Sequence, residues 1–138
     1  QGVVPYSPLA RGVLTGKYLP NDAPPDESRA GRGDKRIMQS EWREESLVIA
    51  KTLKEHSEAL GITAGQFALA WVLNNKLVHS TIAGPRTLAQ RQEHLGAMNY
   101  RVTDGEEPLV DSLVPPGHPS TPGYTDPANP VQGRVPHN

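Results

Sequence analysis

The sequence predicts a parallel α/β fold, of which this chain holds one end. Two short apolar segments, residues 3–6 and 78–83, are each followed by a loop and then by helical periodicity. This alternation of strand, loop and helix is typical of parallel α/β structures. Two strands alone leave open edges and an uncovered apolar face. We therefore expect them to pair with strands from elsewhere, as one end of a larger sheet or barrel.

The first predicted strand, residues 3–6, is β-branched and apolar and ends at Ser7 and Pro8, because proline removes a ladder donor. The mixed segment up to Tyr18 has room for one helical turn. Proline, glycine and charged residues exclude regular structure over residues 20–36. A loop of this length is usually either disordered or functional.

The first predicted helix has Ser40 as its N-cap and Gly61 as the glycine that follows its last turn. Its apolar stripe consists of Leu47, Ala50, Leu53 and Leu60. His56 lies among glutamates and is predicted to be a solvated surface residue. For Trp42, near the start of the helix, packing is favoured over a role in shaping an active-site mouth.

Two further helices are predicted from Thr-x-x-Gln capping boxes. The box at Thr63 opens a helix that is apolar on most sides over residues 67–73, so we expect it to be buried with Trp71 in the core. The box at Thr87 opens a helix running to about residue 97, with Leu88 and Leu95 facing inward. Residues 106–113 predict one more helical turn.

Composition excludes several classes of function. The chain has 138 residues and a net charge of −1 with acid and base well mixed, so nucleic acid and anionic membranes are not expected partners. It has no cysteine, which excludes disulfides and is consistent with a cytoplasmic protein, and no histidine spacing typical of a metal site. No apolar run reaches the roughly 18 to 20 residues of a membrane span, and no signal peptide is evident.

The organisation along the chain is uneven. Eight of the 14 prolines lie beyond residue 107, so the core is expected within residues 1–99 and a proline-rich tail in residues 100–138. The chain begins without methionine on a strand-like segment. We therefore expect a preceding part of the protein to be missing here.

Residues 81–90 predict an anion site, because they place a strand, a turn, Arg86 and a capped helix N-terminus in succession. A phosphate there would meet oriented N–H groups, the positive end of the helix dipole and a guanidinium able to bind two oxygens. The alternative is an ordinary capped helix with an arginine facing solvent.

Four segments together resemble a known family. They are residues 4–18 (VPYSPLARGVLTGKY), Ser28 with Arg29, residues 66–73 (QFALAWVL), and residues 82–93, with glycine, arginine, threonine, glutamine and glutamate at 84, 86, 87, 90 and 93. Their order closely resembles the C-terminal part of the aldo-keto reductase family, in the bacterial branch related to potassium-channel β subunits. The resemblance implies a (β/α)8 TIM barrel in which residues 3–6 are strand seven and residues 78–83 are strand eight.

The resemblance implies NADPH as cofactor and a small carbonyl compound, an aldehyde or ketone, as substrate. TIM barrels often bind phosphate in the loops after strands seven and eight, which agrees with the predicted anion site. Carried over residue by residue, the implied cofactor-binding residues are Tyr6, Ser7, Pro8, Leu9, Arg11, Gly12, Lys17, Arg29, Gly84, Pro85, Arg86, Thr87, Gln90, Glu93 and His94.

The same resemblance implies a role for each part of this set. The pyrophosphate would be lined by Ser7, Pro8, Leu9, Arg11 and Gly12, with Lys17 and Arg29 closing over it. Arg86 would hold the 2′-phosphate together with N–H groups near Thr87. Gln90 and Glu93 would face the adenosine, and Tyr6 would stack near the nicotinamide. His94 stands where the family often has an asparagine, so the adenine contact there would change in geometry.

The family's catalytic tetrad of aspartate, tyrosine, lysine and histidine lies in earlier strands, and nothing in this chain matches it. Tyr18, Tyr100 and Tyr124 are poor candidates for the general acid, because none has lysine and histidine in a tetrad-like arrangement. We therefore assign no catalytic residue to this chain. The remainder of the barrel must come from the same protein or a companion chain.

Three interpretations stay open. In the first, the chain is the cofactor-binding portion of a reductase. In the second, it belongs to a non-enzymatic NADPH-binding subunit, which is a redox sensor or is associated with a channel. In the third, it is a truncated paralogue. Sequence preceding Gln1 separates them, since an intact tetrad favours the enzyme, a broken one favours the sensor, and a true start codon near Gln1 favours the truncated paralogue.

Overall fold

The computed structural model describes residues 2–129. Over these residues the α-helices are α1 (Lys35–Ser40), α2 (Glu44–Ala59), α3 (Ala64–Asn74), α4 (Leu88–Gly96) and α5 (Glu106–Leu113). Two 3₁₀ helices, Ala10–Thr15 and Ala97–Asn99, complete the regular structure. None of the described helices is long and apolar enough to cross a membrane.

The two predicted strands run in parallel, but neither forms a continuous ladder among the described residues. They meet at isolated parallel bridges, Val3 with Val78 and Tyr6 with Ile82. The His79 N–H donates to the Val3 carbonyl and the Ile82 N–H to the Pro5 carbonyl, each at 2.9 Å. The prediction of strands over residues 3–6 and 78–83 was therefore wrong in extent. Pro5 carries no N–H to return a bond, and no third segment within residues 2–129 pairs with either of the two.

The first helical region divides into two helices, and the prediction of Ser40 as an N-cap was wrong. Ser40 is the last residue of α1, and its hydroxyl donates to the Arg36 carbonyl at 2.6 Å. The N-cap of α1 is Asp34, whose Oδ1 accepts the Arg36 and Ile37 N–H groups at 2.9 and 3.1 Å. These bonds, the one from Ile37 first, lower the pKa of the Asp34 carboxyl. The loop predicted over residues 20–36 thus ends in a capped helix.

The capping box that begins α3 is confirmed. Thr63 Oγ1 accepts the Gln66 N–H, and Gln66 Oε1 accepts the Thr63 N–H, both at 3.1 Å. Gly61 has φ +75°, as the predicted glycine after the preceding helix requires. The buried face of α3 includes Phe67 and Leu69. Trp71 was wrongly predicted to be in the core, since it is 38% exposed and its indole N–H donates to Glu107.

The main core lies between the first 3₁₀ helix, the long loop, α1 and α2. Its buried members are Val13, Tyr18, Ala30, Ile37, Leu47 and Ala50. Tyr18 is fully buried and meets Trp42 edge to face, with ring centroids 5.2 Å apart. Trp42 therefore packs as predicted. Because Ala30 belongs to this core, the middle of the long loop is anchored to it.

Helix α4 starts at the predicted place but packs differently. Thr87 Oγ1 accepts the Gln90 N–H at 3.2 Å, whereas the Gln90 side chain bonds one residue further back, at Arg86. The predicted capping box is therefore only half formed. Leu88 and Leu95 are 70% and 56% exposed, so the prediction that they face inward was wrong. Within the described chain no neighbouring element covers that side of α4.

Residues after Tyr100 fold back onto α2 and α3. Glu106 at the start of α5 is buried and accepts the Tyr100 hydroxyl and the Thr103 N–H, the latter at 2.6 Å. His56 Nε2 lies 3.1 Å from the same carboxylate, and its ring packs edge to face on Phe67. His56 is therefore a partly buried partner of α5, and its prediction as a solvated residue was wrong.

The segment that follows α5 is tied to α1 and to the start of α2. Arg36 forms a bidentate ion pair with Asp126, in which Nη1 and Oδ1 are 3.0 Å apart. The Arg43 guanidinium lies 3.9 Å from the centroid of the Tyr124 ring, and the Tyr124 hydroxyl donates to the Gln39 carbonyl at 2.6 Å. These contacts fix residues 120–126 across the α1–α2 corner.

Candidate functional site

A polar cleft of ≈ 530 Å³ opens where the two bridged segments end. One wall is the turn that leads into the first 3₁₀ helix, and the other is formed by the turn before α4 and by one face of α4. The lining residues are Tyr6, Ser7, Pro8, Leu9, Arg11, Gly12, Thr15, Lys17, Arg29, Ile82, Ala83, Gly84, Arg86, Gln90, Glu93 and His94. The structure thus brings together all of the sequence-predicted site residues except Pro85 and Thr87.

The first wall is a turn with unusual backbone. Ser7, Ala10, Arg11 and Gly12 have φ of +56°, +45°, +55° and +98°, values in the left-handed region. Such conformations cost non-glycine residues free energy and are found preferentially at functional sites. A Cβ on Gly12 would lie 3.1 Å from Lys17 Nζ, so the glycine leaves room for the lysine ammonium. Thr15, which sequence reasoning missed, braces the turn by donating its hydroxyl to the Gly12 carbonyl at 2.8 Å.

The charge of the cleft is predominantly positive. Its cationic lining side chains are Arg11, Lys17, Arg29 and Arg86, against one carboxylate, Glu93. Arg29 is 4.0 Å from Asp34 in a pair that is 42% and 34% exposed, so water screens their attraction. The cleft therefore offers a strong attraction to a ligand with several negative charges.

The second wall positions Arg86 at the N-terminus of α4. The Arg86 N–H donates to Gln90 Oε1 at 2.7 Å, and Thr87 Oγ1 caps the helix. The first N–H groups of a helix have no partner within it and carry partial positive charge. Gln90 thus anchors the Arg86 backbone beside that helix end. Its position four residues after Arg86 is the signal that could have revealed this contact.

Two polar atoms of the lining residues are buried without a hydrogen-bond partner among the residues that the structure describes. They are Arg11 Nε and His94 Nδ1. Leaving such groups unpaired is costly, so they favour a ligand that supplies hydrogen-bonding atoms to this cleft. The donor set, four cations and a helix N-terminus, is chemically suited to the phosphates of a dinucleotide.

A second cavity of ≈ 370 Å³ lies beside the cleft and shares Tyr6, Ser7 and Pro8 with it. Its other walls come mainly from the first 3₁₀ helix, α2, α3, α5 and the segment after α5, and they are mostly apolar. The Tyr6 side chain, which is 71% exposed, thus stands at the junction of a polar and an apolar space.

Comparison with known proteins identifies the relatives of this chain. The model of the Aldo/keto reductase family matches residues 1–115. A probable voltage-gated potassium channel subunit beta from Arabidopsis thaliana is 36% identical over 98 residues, 71% of this chain and 30% of that protein. The L-glyceraldehyde 3-phosphate reductase of Escherichia coli O157:H7 is 32% identical over 108 residues, 77% of this chain and 31% of the enzyme.

A solved structure shows the same fold. The glycerol dehydrogenase AKR11B4 from Gluconobacter oxydans superposes with a TM-score of 0.62 at 22% identity, and the match covers 99% of this chain and 38% of that one. The chain spans about a third of the length of the curated relatives described above. The chain belongs to the aldo/keto reductase family.

Proposed function

We propose that this chain is the cofactor-binding C-terminal part of an NADPH-dependent aldo-keto reductase with a (β/α)8 barrel. The observation that carries the proposal is the cationic cleft, which gathers side chains from two segments some seventy residues apart in the sequence onto one helix N-terminus. Phosphate sites after the last two strands are common in barrels of this type. Family membership supplies the reaction class.

Each wall of the cleft has a task in this proposal. Arg86, anchored through Gln90, binds the 2′-phosphate of the cofactor, and Arg11 and Lys17 bind its pyrophosphate from the opposite wall. Arg29 closes over the cofactor from the long loop. When bound, NADPH supplies a hydride to the carbonyl carbon of the substrate. The substrate then lies near Tyr6, where the polar cleft meets the apolar cavity.

The proton that completes a carbonyl reduction comes from outside the described residues. Tyr18 is fully buried and meets Trp42 edge to face. Tyr100 donates to Glu106, and burial together with that bond raises its pKa to about 12. Tyr124 donates to the Gln39 carbonyl. None of these three hydroxyls lines the cleft. Tyr6 does line it, but in this proposal Tyr6 stacks near the nicotinamide, and the general acid therefore comes from the remainder of the barrel.

Exposed apolar side chains support an incomplete barrel. Tyr6, Leu77 and Ile82 are 71%, 70% and 60% exposed, and they lie on or next to the two bridged segments. Large apolar side chains in such a position are typical of an interface. We place the missing strands there, with the remainder of the protein or a companion chain supplying them.

A second candidate function rests on the relative from Arabidopsis thaliana, a probable potassium channel subunit. In that case the cleft would bind NADPH without turnover, and the protein would report the redox state of the cofactor. Cofactor binding is common to both functions, whereas NADPH oxidation by an added aldehyde is expected only of the reductase.

The decisive experiment is a fluorescence titration of the intact protein with NADPH and NADH, for wild type and Arg86→Ala. Losing a charge-assisted bidentate contact costs about 1.5 to 3 kcal/mol. The Kd of NADPH should therefore rise by about one to two orders of magnitude while that of NADH stays nearly unchanged. Arg91→Ala is the control, because Arg91 is an exposed residue of the same helix that does not line the cleft. Equal weakening of both cofactors would contradict the assignment of Arg86.

A further inference from the structure

The N-terminus of α3 reaches the wall of the polar cleft through one side chain. Thr63 Oγ1 accepts the Gln66 N–H at 3.1 Å as the helix cap, and its hydroxyl hydrogen is directed to Glu93 Oε1 at 2.7 Å. Thr63 does not itself line the cleft, whereas Glu93 does. One hydroxyl therefore joins the start of one helix to a carboxylate that a bound ligand would face.

The backbone at this junction leaves space for the carboxylate. A Cβ on Gly65, in the first turn of α3, would lie 2.9 Å from Glu93 Oε1. A Cβ on Gly96, at the end of α4, would collide with the Gln66 side-chain amide. The two glycines thus permit α3 and α4 to approach closely. The Glu93 carboxylate therefore lies against the N-terminus of α3.

We infer that Thr63 is a positioning residue for cofactor binding: its hydroxyl holds one oxygen of Glu93, so that the carboxylate is fixed at the wall of the cleft before the cofactor arrives. This inference rests on the proposed function. A glutamate side chain with its rotamers restricted loses less conformational entropy on binding. The fixed carboxylate then accepts a hydrogen bond from a hydroxyl or amine on the adenosine half of the cofactor.

The test compares wild type with Thr63→Ser and Thr63→Asp in the intact protein. Serine keeps both the capping oxygen and the hydroxyl hydrogen. Aspartate keeps an N-cap acceptor, for which it is among the preferred residues, but has no hydrogen to donate and repels Glu93. Isothermal titration measures the Kd of NADPH and of 2′,5′-ADP, which carries the adenosine half alone. Thermal unfolding of each variant reports on the helix cap.

Thr63→Asp should weaken both NADPH and 2′,5′-ADP about tenfold, with the Tm close to wild type, and Thr63→Ser should change neither. Combining Thr63→Asp with Glu93→Gln should give a loss clearly smaller than the product of the two single losses, because the amide can donate to the aspartate. This coupling is measurable even if Thr63→Asp lowers the Tm.

Three outcomes would overturn the inference, and the third is distinguishable from the other two. If wild type binds NADPH, and Thr63→Asp binds both NADPH and 2′,5′-ADP as tightly as wild type does, Thr63 has no positioning role but the proposed function stands. Multiplicative losses in the double variant lead to the same conclusion. Wild type that binds neither NADPH nor 2′,5′-ADP overturns the proposed function together with this inference.

Discussion

Glu106→Gln is the substitution with the largest expected effect on the attachment of α5. The carboxylate is 5% exposed and accepts the Tyr100 hydroxyl and the Thr103 N–H, with His56 Nε2 at 3.1 Å. Glutamine keeps the shape and one acceptor oxygen. Its amide nitrogen, however, replaces the second carboxylate oxygen and cannot accept a hydrogen bond, so one of the present donors loses its acceptor.

The magnitude follows from the pKa of this carboxyl. Burial alone would raise the pKa, but the hydrogen bonds from Thr103, Tyr100 and His56 outweigh it and lower the pKa from 4.5 to about 2. The ionised form therefore contributes about 3 kcal/mol of stability. Because the folded pKa lies below the unfolded one, this stability is present above pH 4.5 and is lost as the pH falls towards 2.

The assay is denaturant unfolding of the intact protein, followed by tryptophan fluorescence at pH 7 and pH 3. Glu106→Gln should lose about 2 to 4 kcal/mol of unfolding free energy at pH 7, and its difference from wild type should shrink by roughly half at pH 3. Asp111→Asn, an exposed position of the same helix, is the control and should change little. A variant equal to wild type at pH 7, or a difference that does not depend on pH, would refute this reasoning.

Two further predictions concern the loop and the tail. Hydrogen exchange over residues 17–36 should slow when NADPH is added, because Lys17 and Arg29 line the cleft from this segment, and unchanged exchange would leave it a plain connection. Arg36→Gln should speed hydrogen exchange over residues 120–126, because the bidentate ion pair that ties Asp126 to α1 is lost. The same pair lowers the pKa of the Asp126 carboxyl. The exposed Arg32→Gln is its control, and protection equal to wild type would show that the Arg43 contacts suffice.

The sequence predicted local elements well where the signal is local. The capping box at Thr63, the glycine at position 61 and the helix start after Thr87 each depend on residues within one turn, and the structure shows all three. Ser40 and Asp34 illustrate the limit. Both are good N-cap residues, and which one caps a helix depends on the tertiary packing of Ile37, which is fully buried.

Burial was harder to predict, because it depends on which surfaces meet. Trp71, Leu88 and Leu95 are apolar residues on helices, and periodicity alone assigns them to a core. The structure leaves Leu88 and Leu95 more than half exposed and Trp71 38% exposed. His56 shows the opposite case, because its partner Glu106 is 50 residues away in sequence.

Parallel pairing explains why the candidate site could be predicted better than the core. The bridges join Val3 with Val78 and Tyr6 with Ile82, so both segments run in the same direction. Their carboxyl ends therefore lie at the same edge, and the loop after each one opens there. A local motif after each segment is then enough to specify a shared cleft, although Arg11 and Arg86 are far apart in sequence. The cationic side chains lie close together because the two segments run in the same direction, which places the loops that follow them side by side. The two isolated bridges are enough to set this direction, although no continuous ladder joins the segments.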